Sequence, residues 1–223
     1  MSDKLIRSNK DVIDYINAFY DIRADHSPKI DLGFEYDDSH KITCIAGGSG
    51  TGKTTLLRKW FNVDDVNFAI SSDDCIFKIL NDEVGDVKQT SKLLFDVGLA
   101  SVPMWKNTFN NISTGEKLRF EIAYKLASKD TVVFVDEFTS TLDRQVAKNL
   151  CLNLNKLVAK YDKNFVFCTS HFDILDWVKV DRLVDTTSKK AFSPQTNQQL
   201  TQMRWKSDLY QEICGEYLST ITI

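Results

Sequence analysis

Glycine and proline are scarce, with 9 Gly and 3 Pro in 223 residues, and no repeat or low-complexity tract interrupts the chain. No linker is therefore marked, and a single folding unit over residues 1–223 is expected. Long apolar runs are also missing: no stretch approaches the roughly 18 residues that a membrane span requires. The opening Met1-Ser2-Asp3-Lys4 leads into charged residues rather than an apolar leader, so no direct membrane insertion is expected. The five cysteines, Cys44, Cys75, Cys151, Cys168 and Cys214, form no CxxC pair and have no histidine at metal-ligand spacing. That argues against a disulfide framework or a zinc site and for reduced thiols in a cytoplasmic setting, the host cytoplasm if the chain is virus-encoded. An excess of positive charge is lacking too, with 28 Lys and Arg against 31 Asp and Glu. The bulk charge thus gives no footprint of a dedicated nucleic-acid binder, although a local basic patch stays open.

What is present is enough apolar character, 43% of residues, for a substantial core. β-rich and helical stretches alternate, which predicts a three-layer α/β fold. Ile42 to Ala46 reads as a buried strand, then a glycine-rich turn, then a helix through Thr55 to Phe61. Val66 to Ile70 is a second apolar run, read as a strand. It leads into a polar segment from Ser71 to Thr90 and helices at about Thr90 to Val97 and Thr114 to Ser128. Thr131 to Val135 and Asn164 to Cys168 are nearly continuous in apolar character, as strands covered on both faces should be. The expected layout is a core sheet from about 28–72 and 129–194, a short helical lobe at about 73–128, and a C-terminal helical tail at about 200–223 packed on its own domain. Ligands in such sheets bind beyond the carboxyl ends of the strands, where Gly47 onward, Asp136 with Glu137, and His171 are expected to converge.

Gly47-Gly48-Ser49-Gly50-Thr51-Gly52-Lys53-Thr54, followed by Thr55, fits the phosphate-loop pattern G-x-x-x-x-G-K-S/T. In that pattern backbone amides wrap phosphates, the lysine reaches the β- and γ-phosphates and the hydroxyl ligates Mg²⁺. Glycine is required because side chains would block the approach. Asp136 at the end of the next apolar strand suits the Mg²⁺, and Glu137 beside it suits a general base that polarises the attacking water. Read alone, an Asp-Glu pair merely opens a solvated loop. Ser113 followed by Glu116 makes a capping box for a helix with apolar residues at Leu118, Ile122 and Leu126. The same helix start is also an anion site that a γ-phosphate of another molecule would fit.

These motifs resemble those of the ABC (ATP-binding cassette) ATPases. Ser113-Thr114-Gly115-Glu116 resembles the LSGGQ signature, Asp136-Glu137-Phe138-Thr139-Ser140-Thr141-Leu142-Asp143 the extended Walker B and D-loop, and Ser170-His171 the switch histidine. The resemblance implies a P-loop NTPase of ABC-class fold that binds ATP and Mg²⁺ and hydrolyses ATP with Lys53, Glu137 and His171 as catalytic residues. It also implies a homodimer closing head to tail, with ATP between the phosphate loop of one copy and Ser113 to Gly115 of the other, and Asp143 at the seam. Thr114 in place of a signature glycine, and Glu116 in place of glutamine, look closer to SMC-type and other non-transporter members. No Q-loop glutamine is placed: Gln89 comes late and Asp73 and Asp74 stand where it belongs. Among Tyr20, Phe34 and Tyr36 none is singled out for stacking on adenine. A narrower likeness rests on Arg144, Ala147-Lys148, Phe172-Asp173-Ile174, Trp177 and Arg204-Trp205. It is to soluble ABC ATPases fused to or encoded beside GNAT acetyltransferases, and implies a soluble partner of that kind or a nucleic acid. A transporter's nucleotide-binding subunit and a slow, SMC-like ATP-gated module are the alternatives.

Overall fold

The structure, a computed structural model, describes residues 32–193. Five strands form one sheet: β1 (Ile42–Ala46), β2 (Val132–Val135), β3 (Asn164–Thr169), β4 (Arg182–Asp185) and β5 (Lys190–Phe192). Their order across the sheet is β2-β3-β1-β4-β5, with β4 and β5 paired antiparallel as a hairpin and the other pairs parallel. The helices are α1 (Lys53–Phe61), α2 (Ile76–Val84), α3 (Val87–Asp96), α4 (Thr114–Ala127) and α5 (Arg144–Tyr161), with short 3-10 turns at Val102–Lys106, Phe109–Asn111 and Phe172–Asp176.

Alternation along β1 explains the layers. Ile42, Cys44 and Ala46 join a core with Leu150, Cys151 and Leu154 of α5, whereas Ile45 joins Leu56 and Leu57 of α1, Val166, Cys168 and Val184. Helices thus cover both faces, as parallel strands require, and the expected three-layer α/β arrangement is present. α4 starts where its capping box predicts, with Glu116 N donating to Ser113 Oγ at 3.3 Å and Ser113 N donating to Glu116 Oε2 at 2.8 Å.

The described residues depart from the sequence reading in two places. Val66 to Ile70 pairs with no strand of the sheet: Val66 is buried against Ile45 and Leu57, while Phe68 packs on Phe109 and Tyr124 of the lobe. Its apolar residues serve interlayer packing rather than a ladder. The polar-looking stretch after Ser71 contains α2, because Ile76 and Leu80, one turn apart, are both fully buried. The start of the sheet region before residue 32, Tyr20, Arg204-Trp205 and the tail at 200–223 lie outside the described residues.

Candidate functional site

The turn between β1 and α1 is glycine-rich for steric reasons. A Cβ on Gly47 would sit 2.1 Å from Thr186 Oγ1 and 2.7 Å from Thr51 Oγ1, so any side chain there would displace the loop. Gly50 and Gly52 adopt left-handed backbone with φ of 77° and 94°, a region open to glycine at little cost. Gly52 caps α1 without a side-chain acceptor, so the helix start offers its first amides to an anion. Lys53 is 5% exposed, and its Nζ donates to the carbonyls of Gly47 at 3.0 Å and Gly48 at 2.8 Å. Its cation therefore lies inside the loop it follows.

The loop is held from outside by a group that sequence reasoning missed. Thr186, just past β4, shares a hydrogen bond of 2.6 Å with Thr51 Oγ1, and its own hydroxyl donates to Ala46 O at 3.1 Å. Gly48 N donates to Thr187 Oγ1 at 3.3 Å. Asp185 sets this turn by accepting from Thr187 N and Ser188 N at 2.9 and 3.2 Å. Two threonines after an unassigned strand carried no signal in the sequence.

Parallel pairing brings the other strand ends alongside. Thr54 Oγ1 donates to Asp136 Oδ2 at 2.7 Å, a hydroxyl and a carboxylate side by side. Hard oxygen donors of this kind fit Mg²⁺. Glu137 and Thr139 both take left-handed backbone, with φ of 49° and 68°, which costs roughly 1–2 kcal/mol per non-glycine residue. Phe138 between them offsets it. Its N donates to Cys168 O at 2.7 Å, and its fully buried ring packs 4.7 Å from Phe167 and 5.8 Å from Phe165. Burial of a phenylalanine contributes roughly 1.5–3 kcal/mol, comparable to the cost of the bend that leaves Glu137 exposed at the strand end.

Asp136 and Glu137 open into a cavity of about 390 Å³ that is also lined by Asn67, Thr114, Lys117 and Glu121. No amide side chain from Gln89 reaches it; Gln89 lies exposed in the first turn of α3, Asp73 is exposed, and Asp74 pairs with Lys78 at 3.1 Å. Asn67, on the Val66 to Ile70 segment, brings a carboxamide to the cavity wall. Burial raises the Glu121 carboxyl above its ordinary value, with the neighbouring Lys125 opposing and Asp136 reinforcing the shift. Lys125 Nζ donates to Glu121 Oε1 and to Phe134 O, each at 2.7 Å, tying α4 to the strand that carries Asp136.

Ser113 is exposed at the start of α4, and Gly115 is pressed against the loop before Asp143: a Cβ there would meet Leu142 Cδ2 at 3.0 Å and Thr141 O at 3.3 Å. Asp143, also exposed, caps α5 by accepting from Gln145 N at 2.9 Å. His171 follows β3, and its N donates at 3.0 Å to Thr169 Oγ1, which donates to Phe138 O at 3.4 Å. Gly47 N donates to Thr169 O at 3.3 Å, so one threonine links the phosphate loop, the Asp136-Glu137 turn and the His171 turn. Of the aromatic candidates, Tyr36 packs on Trp60 and Phe61 at 5.8 and 5.2 Å, and Phe34 O accepts from Trp60 Nε1 at 2.8 Å.

No family model matches the chain. It is 23% identical over 197 residues to the heavy metal tolerance protein of Schizosaccharomyces pombe, covering 70% of this chain and 23% of that one. It is 25% identical over 200 residues to the phosphate import ATP-binding protein PstB of Mycoplasmoides gallisepticum, covering 69% and 59% respectively. The chain thus spans between about a quarter and three-fifths of these relatives' lengths. The structure of a bacterial Atm1-family ABC exporter with ATP bound superposes with a TM-score of 0.59 at 15% identity, over 81% of this chain and 37% of the exporter. The fold is that of a P-loop NTPase of the ABC cassette type. Among the described residues no helix is long and apolar enough to cross a membrane.

Proposed function

We propose that the chain binds MgATP on the phosphate loop and hydrolyses it, as a soluble ABC-class ATPase that closes head to tail with a second copy. The observation that carries this reading is the contact of Thr54 with Asp136, with Glu137 one residue further on and bent toward the cavity. The amides from Gly47 to Thr55 and the Lys53 ammonium hold the phosphates. Thr54 and Asp136 hold Mg²⁺, which when bound neutralises charge on the β- and γ-phosphate oxygens. Glu137 takes the proton of the attacking water, and His171 steadies that water and the γ-phosphate. Ser113 and Gly115 of the second copy meet the nucleotide from the far side, with Asp143 at the seam. Closure and opening then act on a soluble partner protein, such as a GNAT acetyltransferase, or on a nucleic acid.

The tested quantity is mass in solution. Glu137→Gln retains ATP, so it should run as a dimer with MgATP and as a smaller species without it; a monomer in both conditions would rule out closure. A second reading, the nucleotide-binding subunit of a membrane transporter, is favoured by the likeness to the phosphate import protein PstB and to the Atm1-family exporter. Co-purification with a polytopic membrane protein would support it against a soluble partner. Fast single-turnover hydrolysis separates either from a slow, SMC-like gated module.

A further inference from the structure

Arg144, Lys148, Asp173 and Trp177 come from two separate parts of the sequence and none is used by the chemistry above. The fold brings them together. Arg144 opens α5 directly after its cap Asp143, and Asp173 lies within the 3-10 turn that follows His171, with Trp177 closing that turn. Arg144 Nη2 donates to Asp173 Oδ2 in an ion pair. The Arg144 guanidinium lies 5.0 Å from the centroid of the Trp177 ring, and Lys148 Nζ lies 6.0 Å from it. The ring thus sits beneath two cations, an arrangement that favours a fixed guanidinium plane.

Arg144 and Asp173 side chains are 42% and 41% exposed, and ion pairs that exposed add little to global stability. Their effect is local. They tie the first turn of α5, and hence Asp143, to the turn carrying His171. Arg144 Nη1 and His171 Nδ1 are both buried without a protein partner among the described residues, and such atoms are rare in folded proteins.

We propose that Arg144, Asp173 and Trp177 form a clasp that positions His171 relative to Asp143, so that displacement of one is passed to the other. The clasp residues are positioning residues and touch no substrate. The inference rests on the reading that His171 and Asp143 serve the nucleotide site and the seam.

Two measurements on the full-length chain test it. Asp173→Asn and Arg144→Gln should each lower the kcat of ATP hydrolysis at least about tenfold, with ATP Kd and melting temperature unchanged, and the double variant should be no worse than either single one. Asp173→Glu, which keeps the charge, should recover most of the rate. Independently of turnover, nitrogen-15 histidine spectra of the three-histidine chain, with His171 assigned through His171→Asn, should show the His171 ring signal shifted in both single variants while that of His40 stays. Turnover within twofold of wild type, or an unmoved His171 signal, overturns the clasp. A wild-type chain that does not hydrolyse ATP would overturn the proposed activity instead, and the histidine spectra alone would then decide the clasp.

Discussion

The Thr54 hydroxyl donates to Asp136 Oδ2 at 2.7 Å across 82 residues of sequence. That contact joins the end of the phosphate loop to the end of β2 and places the proposed metal-binding pair beside the lysine. Asp136→Asn should leave ATP affinity without Mg²⁺ within about threefold of wild type while removing the gain in affinity that Mg²⁺ brings, since it deletes one charged oxygen donor. Calorimetry with and without Mg²⁺ reads this directly; a retained Mg²⁺ dependence would contradict the assignment.

Lys53→Ala removes a nearly buried cation. Hydrogen bonds to charged groups are worth roughly 1.5–3 kcal/mol each, so ATP affinity should fall by at least one to two orders of magnitude. The same titration measures it, and unchanged affinity would count against the phosphate loop.

Gly47→Ala would place a methyl 2.1 Å from Thr186 Oγ1. The loop has to shift, so ATP binding should weaken at least tenfold even though no ligand contact is deleted. Thr186→Ala, which frees the loop from its brace, should cost about 1 kcal/mol of stability, and Thr186→Ser should restore it. Thermal melting and ATP titration of the three variants separate the two effects.

Glu121 and Lys125 are paired with side chains only 13% and 16% exposed. Lys125→Met should destabilise the fold by roughly 3–5 kcal/mol, because it leaves a buried carboxylate unpaired, and Glu121→Gln/Lys125→Met should recover most of the loss. Burial raises the folded Glu121 carboxyl above its ordinary 4.5, so above 4.5 the folded chain binds more protons there than the unfolded one. Stability from this group is full below that value and declines as pH rises toward the folded value. Glu121→Gln should remove that decline, seen as a melting-temperature gap over wild type that grows as pH rises above 4.5.

The most legible parts were those where chemistry dictates local sequence. Gly47 to Thr54 needs glycine where a Cβ has no room, and Asp136-Glu137 ends a strand whose apolar run is required by burial on both faces. The capping box at Ser113 and Glu116 marked the start of α4 to the residue. Less legible was what depends on distant partners. Thr186 reaches Thr51 across 135 residues, and no spacing rule links them. α2 lay hidden because its short apolar run, Ile76 to Leu80, is bounded by Asp73, Asp74, Asp82 and Glu83, and Val66 to Ile70 looked like a strand because packing between layers selects the same apolar residues as a sheet.

Phosphate release at saturating MgATP, compared between the wild-type chain and Glu137→Gln with ATP occupancy measured on the same samples, addresses the central claim most directly. Steady release by wild type and at least about a hundredfold slower release by the variant at equal occupancy is the predicted result. Equal release rates, or no release by the wild-type chain with ATP bound, would contradict it.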